Sequence, residues 1–132
     1  VKAVIDTNVI VSAMLSPRGA PASIWEALVE AKLTCCVDQR ILEEYQTVLR
    51  RPRFALDERD VAEVLDFLGL VAEPVRTTPL VTSLPDPKDA PFLEVALAGA
   101  ADAIITGNIR HFPARVCHPI RVLTPAAALA ML

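Results

Sequence analysis

The sequence predicts an α/β domain built on a mainly parallel sheet covered on both faces. Short apolar runs of strand length alternate along the chain with longer segments of helical spacing. Two of those runs, Val4-Ile5 and Ile104-Ile105, are followed at once by small polar residues, the pattern of buried strands that end at a sheet edge. Proline, glycine and aspartate stand at the joints between segments. A chain of 132 residues that is 53% hydrophobic supplies one core and is too short for two ordinary domains, so residues 1–132 read as a single domain.

Taken in order, Lys2-Ala3-Val4-Ile5 is a strand stopped by Asp6, and Thr7-Asn8 open a helix with Val9, Ile10, Ala13 and Met14 on one face. Ser16-Pro17-Arg18-Gly19 is a loop, and Pro21 suits the first turn of a second helix with Ile24, Trp25, Leu28 and Val29 as its stripe. Leu33 to Val37 reads as the second strand. Asp38 then caps a helix whose inward positions are Ile41, Leu42, Tyr45, Val48 and Leu49. Asp57 opens the next helix, with Val61, Val64, Leu65 and Leu68 on one face and Gly69 as its stop. An extended segment starts at Leu70-Val71 and runs toward Pro79, and it suits an edge strand because proline is tolerated there. The loop Ser83 to Asp89 leads into a helix using Phe92, Leu93, Val95, Ala96 and Leu97, ended by Gly99. Asp102 to Asn108 repeats the opening logic of strand and small polar turn. Arg121-Val122-Leu123 is the last strand, and Thr124-Pro125 opens a short alanine-rich helix.

The net charge of −3 offers no global basic field, so a nucleic-acid partner needs a local basic patch, a cation to hold phosphate, or a basic partner. Arg50-Arg51-Pro52-Arg53 is such a cluster, and two readings stay open for it: complementing a helix dipole, or contacting phosphate. The three cysteines include the adjacent pair Cys35-Cys36, a poor disulfide framework that points to a reducing compartment and buried thiols. Adjacent cysteines on a strand face opposite ways, which argues against a zinc site shared with His111, Cys117 and His118. No run reaches membrane-spanning length and no signal-peptide pattern opens the chain, so the expected location is the cytoplasm.

Carboxylates recur beside strand ends and helix starts: Asp6, Glu44 or Glu43, and the pair Asp86/Asp89, with the amide Asn108 at a comparable place. Ligands of open parallel sheets bind outside the carboxyl ends of the strands, and right-handed crossovers bring those ends to one edge. Asp6, Asp89 and Asn108 can converge there. Clustered carboxylates raise one another's pKa unless a cation is present, and hard oxygen ligands select Mg²⁺ or Mn²⁺. Such a centre activates water and grips a phosphodiester by its oxygens. Each acid also has a plain structural reading: Asp6 and Asp89 as helix caps, Glu44 as a solvated charge. Glu44 adjoins the apolar face of Ile41, Tyr45 and Val48, which favours an inward position, and Glu43 is the better candidate for solvent. Thr106-Gly107-Asn108 has the composition of a turn that allows close backbone approach.

Four motifs then come in order. They are Val4-Ile5-Asp6-Thr7-Asn8-Val9; Ile41-Leu42-Glu43-Glu44-Tyr45 through Leu49-Arg50-Arg51-Pro52; Asp86-Pro87-Lys88-Asp89 with Phe92-Leu93-Glu94; and Ala101-Asp102 through Thr106-Gly107-Asn108 with His111-Phe112-Pro113. Together, over nearly the whole chain, they resemble the PIN-domain family of metal-dependent ribonucleases, which includes the VapC-type toxins of bacterial toxin–antitoxin systems. The resemblance implies an α/β/α sandwich whose acidic pocket binds Mg²⁺ or Mn²⁺ and cuts RNA. It implies that Asp6 is the first metal ligand, Glu44 the second acid and Asp89 the third, with Asp86 auxiliary. Thr7 and Thr106 would hydrogen-bond the acids or the phosphate. Separately from the resemblance, an acidic pocket needs nearby cations to admit RNA, for which Arg110 is a candidate, and Asn8 is expected to bind substrate with Thr7 and Thr106. Asn108 stands where the family has a fourth acid; an amide still binds a metal or its water but adds no charge. A cognate antitoxin and a homodimer are the partners so implied.

Rival readings are weaker. Asp6-Thr7-Asn8 is similar to the D-x-D opening of some phosphatases, but Asn8 cannot act as their general acid. No G-x-S-x-G supports a serine hydrolase, and His111 reads as a loop residue contacting backbone rather than a base. The non-enzymatic alternative is a degenerate module that binds RNA or protein without cutting, and the retained Asp6, Glu44 and Asp89 argue against it.

Overall fold

The computed structural model describes residues 1–132. Its chain runs β1 (Lys2–Ile5), α1 (Thr7–Leu15), α2 (Ala20–Val29), β2 (Thr34–Val37), α3 (Gln39–Leu49), α4 (Glu58–Val71), β3 (Glu73–Pro74), α5 (Ala90–Ala98), β4 (Ala103–Ile105), α6 (Ala114–Cys117), β5 (Arg121–Leu123) and α7 (Pro125–Leu129). The strands form one sheet in the order β3-β2-β1-β4-β5, and every pairing is parallel. The predicted fold is therefore the observed one, an α/β/α sandwich. From β1 the chain winds outward through β2 to β3, then returns across the sheet to β4 and β5. Right-handed crossovers in these two opposite directions put helices on both faces.

Burial on both faces is why the strands are apolar throughout. Ala3, Val4, Ile5, Ala103, Ile104 and Ile105 are all buried, as are Cys35, Cys36 and Val37. Helix α5 packs on β1, β2 and β4, and it is buried at every position from Phe92 to Val95. The largest enclosed side chains are Tyr45, Phe92 and Phe112, with the last two meeting edge to face at 6.4 Å.

The three cysteines are free and buried, and burial pushes the thiols of Cys35 and Cys36 up to about 12 and about 11. No helix is long and apolar enough to cross a membrane.

Two expectations about α4 need correction. Gly69 does not stop it: the helix continues to Val71, and Gly69 occupies an exposed position where a Cβ would meet nothing within 4 Å. A glycine facing solvent costs helix propensity but does not break the hydrogen-bond ladder. The extended segment accordingly starts at Ala72, and its edge strand is only Glu73–Pro74, paired to Cys36 and Val37. In α2 the buried residues are Ile24, Ala27 and Leu28, while Val29 at the last turn is 56% exposed.

Candidate active site

The strand order reverses between β1 and β4, and the crevice at such a switch point lies beyond the carboxyl ends of those two strands. Register sets what meets there. Ile5 pairs with Ile105, and the ladder continues one step further: the Asp6 N–H donates to the Ile105 carbonyl at 2.9 Å, and the Thr106 N–H to the Leu123 carbonyl at 2.9 Å. Asp6 and Thr106 thus emerge side by side, and Thr106 Oγ1 donates to Asp6 Oδ2 at 2.7 Å. The same hydroxyl oxygen accepts from the Asn108 N–H at 2.9 Å. Asn8 closes the opposite side, where its Oδ1 accepts from the Gly107 N–H at 3.1 Å. A Cβ on Gly107 would meet Asn8 Oδ1 at 3.4 Å, an ordinary contact, so the backbone approach there does not depend on glycine.

Neither structural alternative for the two aspartates describes them. Asp6 precedes α1 and Asp89 precedes α5, yet neither side chain caps its helix. Asp38 and Asp57, by contrast, accept from Ile41 N–H and Arg59 N–H. Asp6 is 8% exposed, and burial raises its carboxyl above 3.8 against the opposing hydrogen bond from Thr106. Asp89 is pushed up to about 6, first by burial and then by the negative charge of Asp6, with His111 opposing. His111 Nδ1 lies 3.0 Å from Asp89 Oδ2, but the geometry is not that of a hydrogen bond and Oδ2 is a buried acceptor without a donor. The expectation that His111 contacts backbone is corrected: its ring faces this carboxylate.

Glu44 lies half-buried on α3 and accepts a hydrogen bond from Thr7 Oγ1. Glu43 is exposed and accepts from Gln39 Nε2 at 3.2 Å. Asp86 Oδ1 accepts from the Lys88 N–H at 3.0 Å, shaping the turn at Pro87–Asp89, and its charge also raises Asp89. Asn108 is half-buried at the mouth, and Arg110 is exposed beyond it. Asp6 and Asp89 are close enough to repel, and Asp89 Oδ2 is a buried acceptor without a donor. That donor set fits a hard divalent cation, which Asp6 and Asp89 would hold. Asp6, Glu44 and Asp89 do not close into a group of three protein ligands, and Glu44 accepts from Thr7.

Two supports escaped the sequence reading. Tyr45, fully enclosed, donates its hydroxyl to the Ile5 carbonyl, the peptide that leads into Asp6. Glu94, 8% exposed on α5, accepts from Arg40 Nη1 at 2.7 Å and from the Leu80 N–H at 3.0 Å. Arg40 in turn grips Asp38 Oδ2 through Nε at 2.9 Å and Nη2 at 2.7 Å. The signals for Glu94 were its place in the Phe92-Leu93-Glu94 motif and its being a glutamate inside an otherwise apolar helix.

The family model of the PIN domain matches residues 2–110, which span both strand-end turns and all four acids. The chain belongs to the PIN domain family. An uncharacterised protein of Methanocaldococcus jannaschii is 29% identical over 111 residues, covering 82% of this chain and 71% of that one. Among solved structures, that of VapBC2 from Rickettsia felis bound to a DNA fragment from their promoter superposes with a TM-score of 0.61 at 15% identity. The match covers 94% of this chain and 98% of that one, a likeness of fold. PIN domains are generally nucleases that use divalent metals, and the oxygen-rich crevice of this PIN domain is consistent with that chemistry.

Proposed function

We propose that this PIN domain is a metal-dependent endoribonuclease acting in the cytoplasm as the toxin component of a toxin–antitoxin pair. The observation that carries the reading is the pair Asp6 and Asp89: a buried and a half-buried carboxylate with raised pKa at the sheet's switch point, neither used as a cap. A pair that is costly to ionise empty gains its purpose from a cation. Mg²⁺ or Mn²⁺ bound there would neutralise phosphate charge and acidify a water.

The remaining roles belong to the chain. Asp6, fixed by Thr106, and Asp89, beside His111, would hold the cation. Glu44 keeps Oε1 free while Oε2 accepts from Thr7, so it is available to orient the attacking water and take its proton. Asp86 and Asn108 would add oxygen donors to this centre, and Asn8 and Arg110 would meet the substrate strand. The similarity to VapBC2 supports an antitoxin partner, and the exposed apolar side chains Val29, Leu70 and Val71 support burial of further surface, by antitoxin or by a second copy.

The test is Mn²⁺ titration of wild type and Asp6→Asn by calorimetry, with RNA cleavage assayed on the same samples. Binding and cleavage lost together, with folding intact, is the expected result. Cleavage that persists in Asp6→Asn would remove this site from the chemistry, and a wild type that binds no Mn²⁺ at millimolar concentration would favour a binding module without catalysis.

A further inference from the structure

Beside the acids lies a cavity of about 440 Å³, within the range of about 300–1,000 Å³ of small-ligand sites. Its rim includes Thr7, Asn8 and Glu44, so it opens directly onto the candidate catalytic centre. Its wall is apolar, made by Val11 and Leu15 of α1, Val48 of α3 and Phe54. Phe54 ends the short 3₁₀ turn Pro52–Phe54, and Ala55 after it takes a left-handed φ of 48° that swings the chain away.

The arginine cluster divides here. Arg50 is bound to Glu58, Nη2 to Oε1 at 2.7 Å, and faces away from the cavity. Arg51 and Arg53 line the cavity and pair with no carboxylate, and the Arg53 guanidinium lies over the Phe54 ring at 4.8 Å. A dipole-complementing role does not account for two unpaired guanidinium groups turned into a cavity next to acids. Asn8 spends Oδ1 on Gly107 and keeps its amide N–H groups to donate, and the Ser12 hydroxyl stands beside it.

We propose that this cavity seats one unpaired nucleotide of the strand being cut, next to the cleaved phosphodiester. Its base lies against the Arg53–Phe54 pair and the Val11–Leu15 wall, and its phosphate faces Arg51. Stacking on an aromatic or guanidinium plane accepts any base, while the Asn8 amide favours a base edge that presents acceptors. A base inside a duplex cannot enter, so the cavity selects single-stranded segments. In a chain of net charge −3, these two arginines supply the local positive field that phosphate needs. This inference rests on the nuclease reading above.

The test uses a fluorescein-labelled single-stranded heptaribonucleotide of mixed sequence, with anisotropy measured in EDTA and cleavage in Mn²⁺. Arg51→Gln, Arg53→Gln and Phe54→Leu are each expected to raise Kd and KM about tenfold. Mn²⁺ affinity should stay at the wild-type value in all three and the unfolding midpoint in the two arginine variants, Phe54 being partly packed against the core; the salt slope of binding should fall by about one for each arginine removed. Folded variants with unchanged Kd, KM and salt slope would overturn the subsite; cleavage by wild type and its loss in Asp6→Asn would show that the nuclease reading survives. A wild type that neither binds nor cuts the RNA brings down both. RNA affinity that falls with rising protein concentration, alongside sedimentation as a dimer, would assign the cavity to a second copy and also overturn it.

Discussion

Thr106 Oγ1 donates to Asp6 Oδ2 at 2.7 Å, joining two residues that are 100 positions apart in the chain and adjacent in the sheet. The hydroxyl is fully buried, and its oxygen is also the acceptor for the Asn108 N–H. One side chain therefore steadies the first acid and shapes the turn that follows β4.

Thr106→Val keeps the shape and removes both bonds. It should cost about 1–3 kcal/mol of stability, because a part-buried N–H and a buried carboxylate each lose a partner. Chemical denaturation measures the first effect. Mn²⁺ affinity, expected to fall as the Asp6 carboxyl rises further, measures the second. Wild-type metal affinity in a folded variant would mean that Thr106 serves the turn alone.

Asp89 provides a pH test in metal-free protein. Its folded pKa, about 6, exceeds the ordinary value of 3.8, so its ionisation opposes folding. The penalty is absent below about pH 4, grows between there and about pH 6, and is complete above. Asp89→Asn should therefore be more stable than wild type at pH 7 in EDTA, with the gap closing as the pH is lowered to 4.5. Unfolding midpoints of the two proteins across that range decide it, and a gap independent of pH would contradict the assignment.

Tyr45→Phe should lower stability by about 0.5–1.5 kcal/mol, since the buried Ile5 carbonyl loses its hydroxyl donor and the ring still fills its place. Hydrogen exchange would localise the change at the end of β1, with faster exchange of the Asp6 and Thr7 amides. Uniform acceleration across the domain would mean only global destabilisation.

The two arginine pairs should respond differently. Arg50→Ala breaks a bond to the exposed Glu58 and should leave the unfolding midpoint unchanged, because both groups return to water. Arg40→Ala leaves the Glu94 carboxylate buried with only the Leu80 N–H, so it should destabilise clearly, and Arg40→Ala with Glu94→Gln should recover part of the loss. A double-mutant cycle by urea denaturation measures the coupling, and equal effects at Arg40 and Arg50 would contradict it.

The fold class was legible in the sequence because strands buried on both faces must be continuously apolar and helices must repeat near 3.6 residues, and both are local patterns. The strand at Arg121–Leu123 and the caps Asp38 and Asp57 belong to this kind, each set by residues close in sequence. Gly69 misled because propensity is a small local cost, which the packing of Leu68 against the core outweighs. Asp6, Glu44 and Asp89 stood out as acids at element junctions. Their states did not, because nothing local distinguishes a capping aspartate from one held uncapped beside another. Register and strand order decided that, bringing Thr106 to Asp6, Thr7 to Glu44 and His111 to Asp89. Burial, which raises the Asp6 and Asp89 carboxyls, is a property of the closed sheet and its helices. It exists only once the chain has folded.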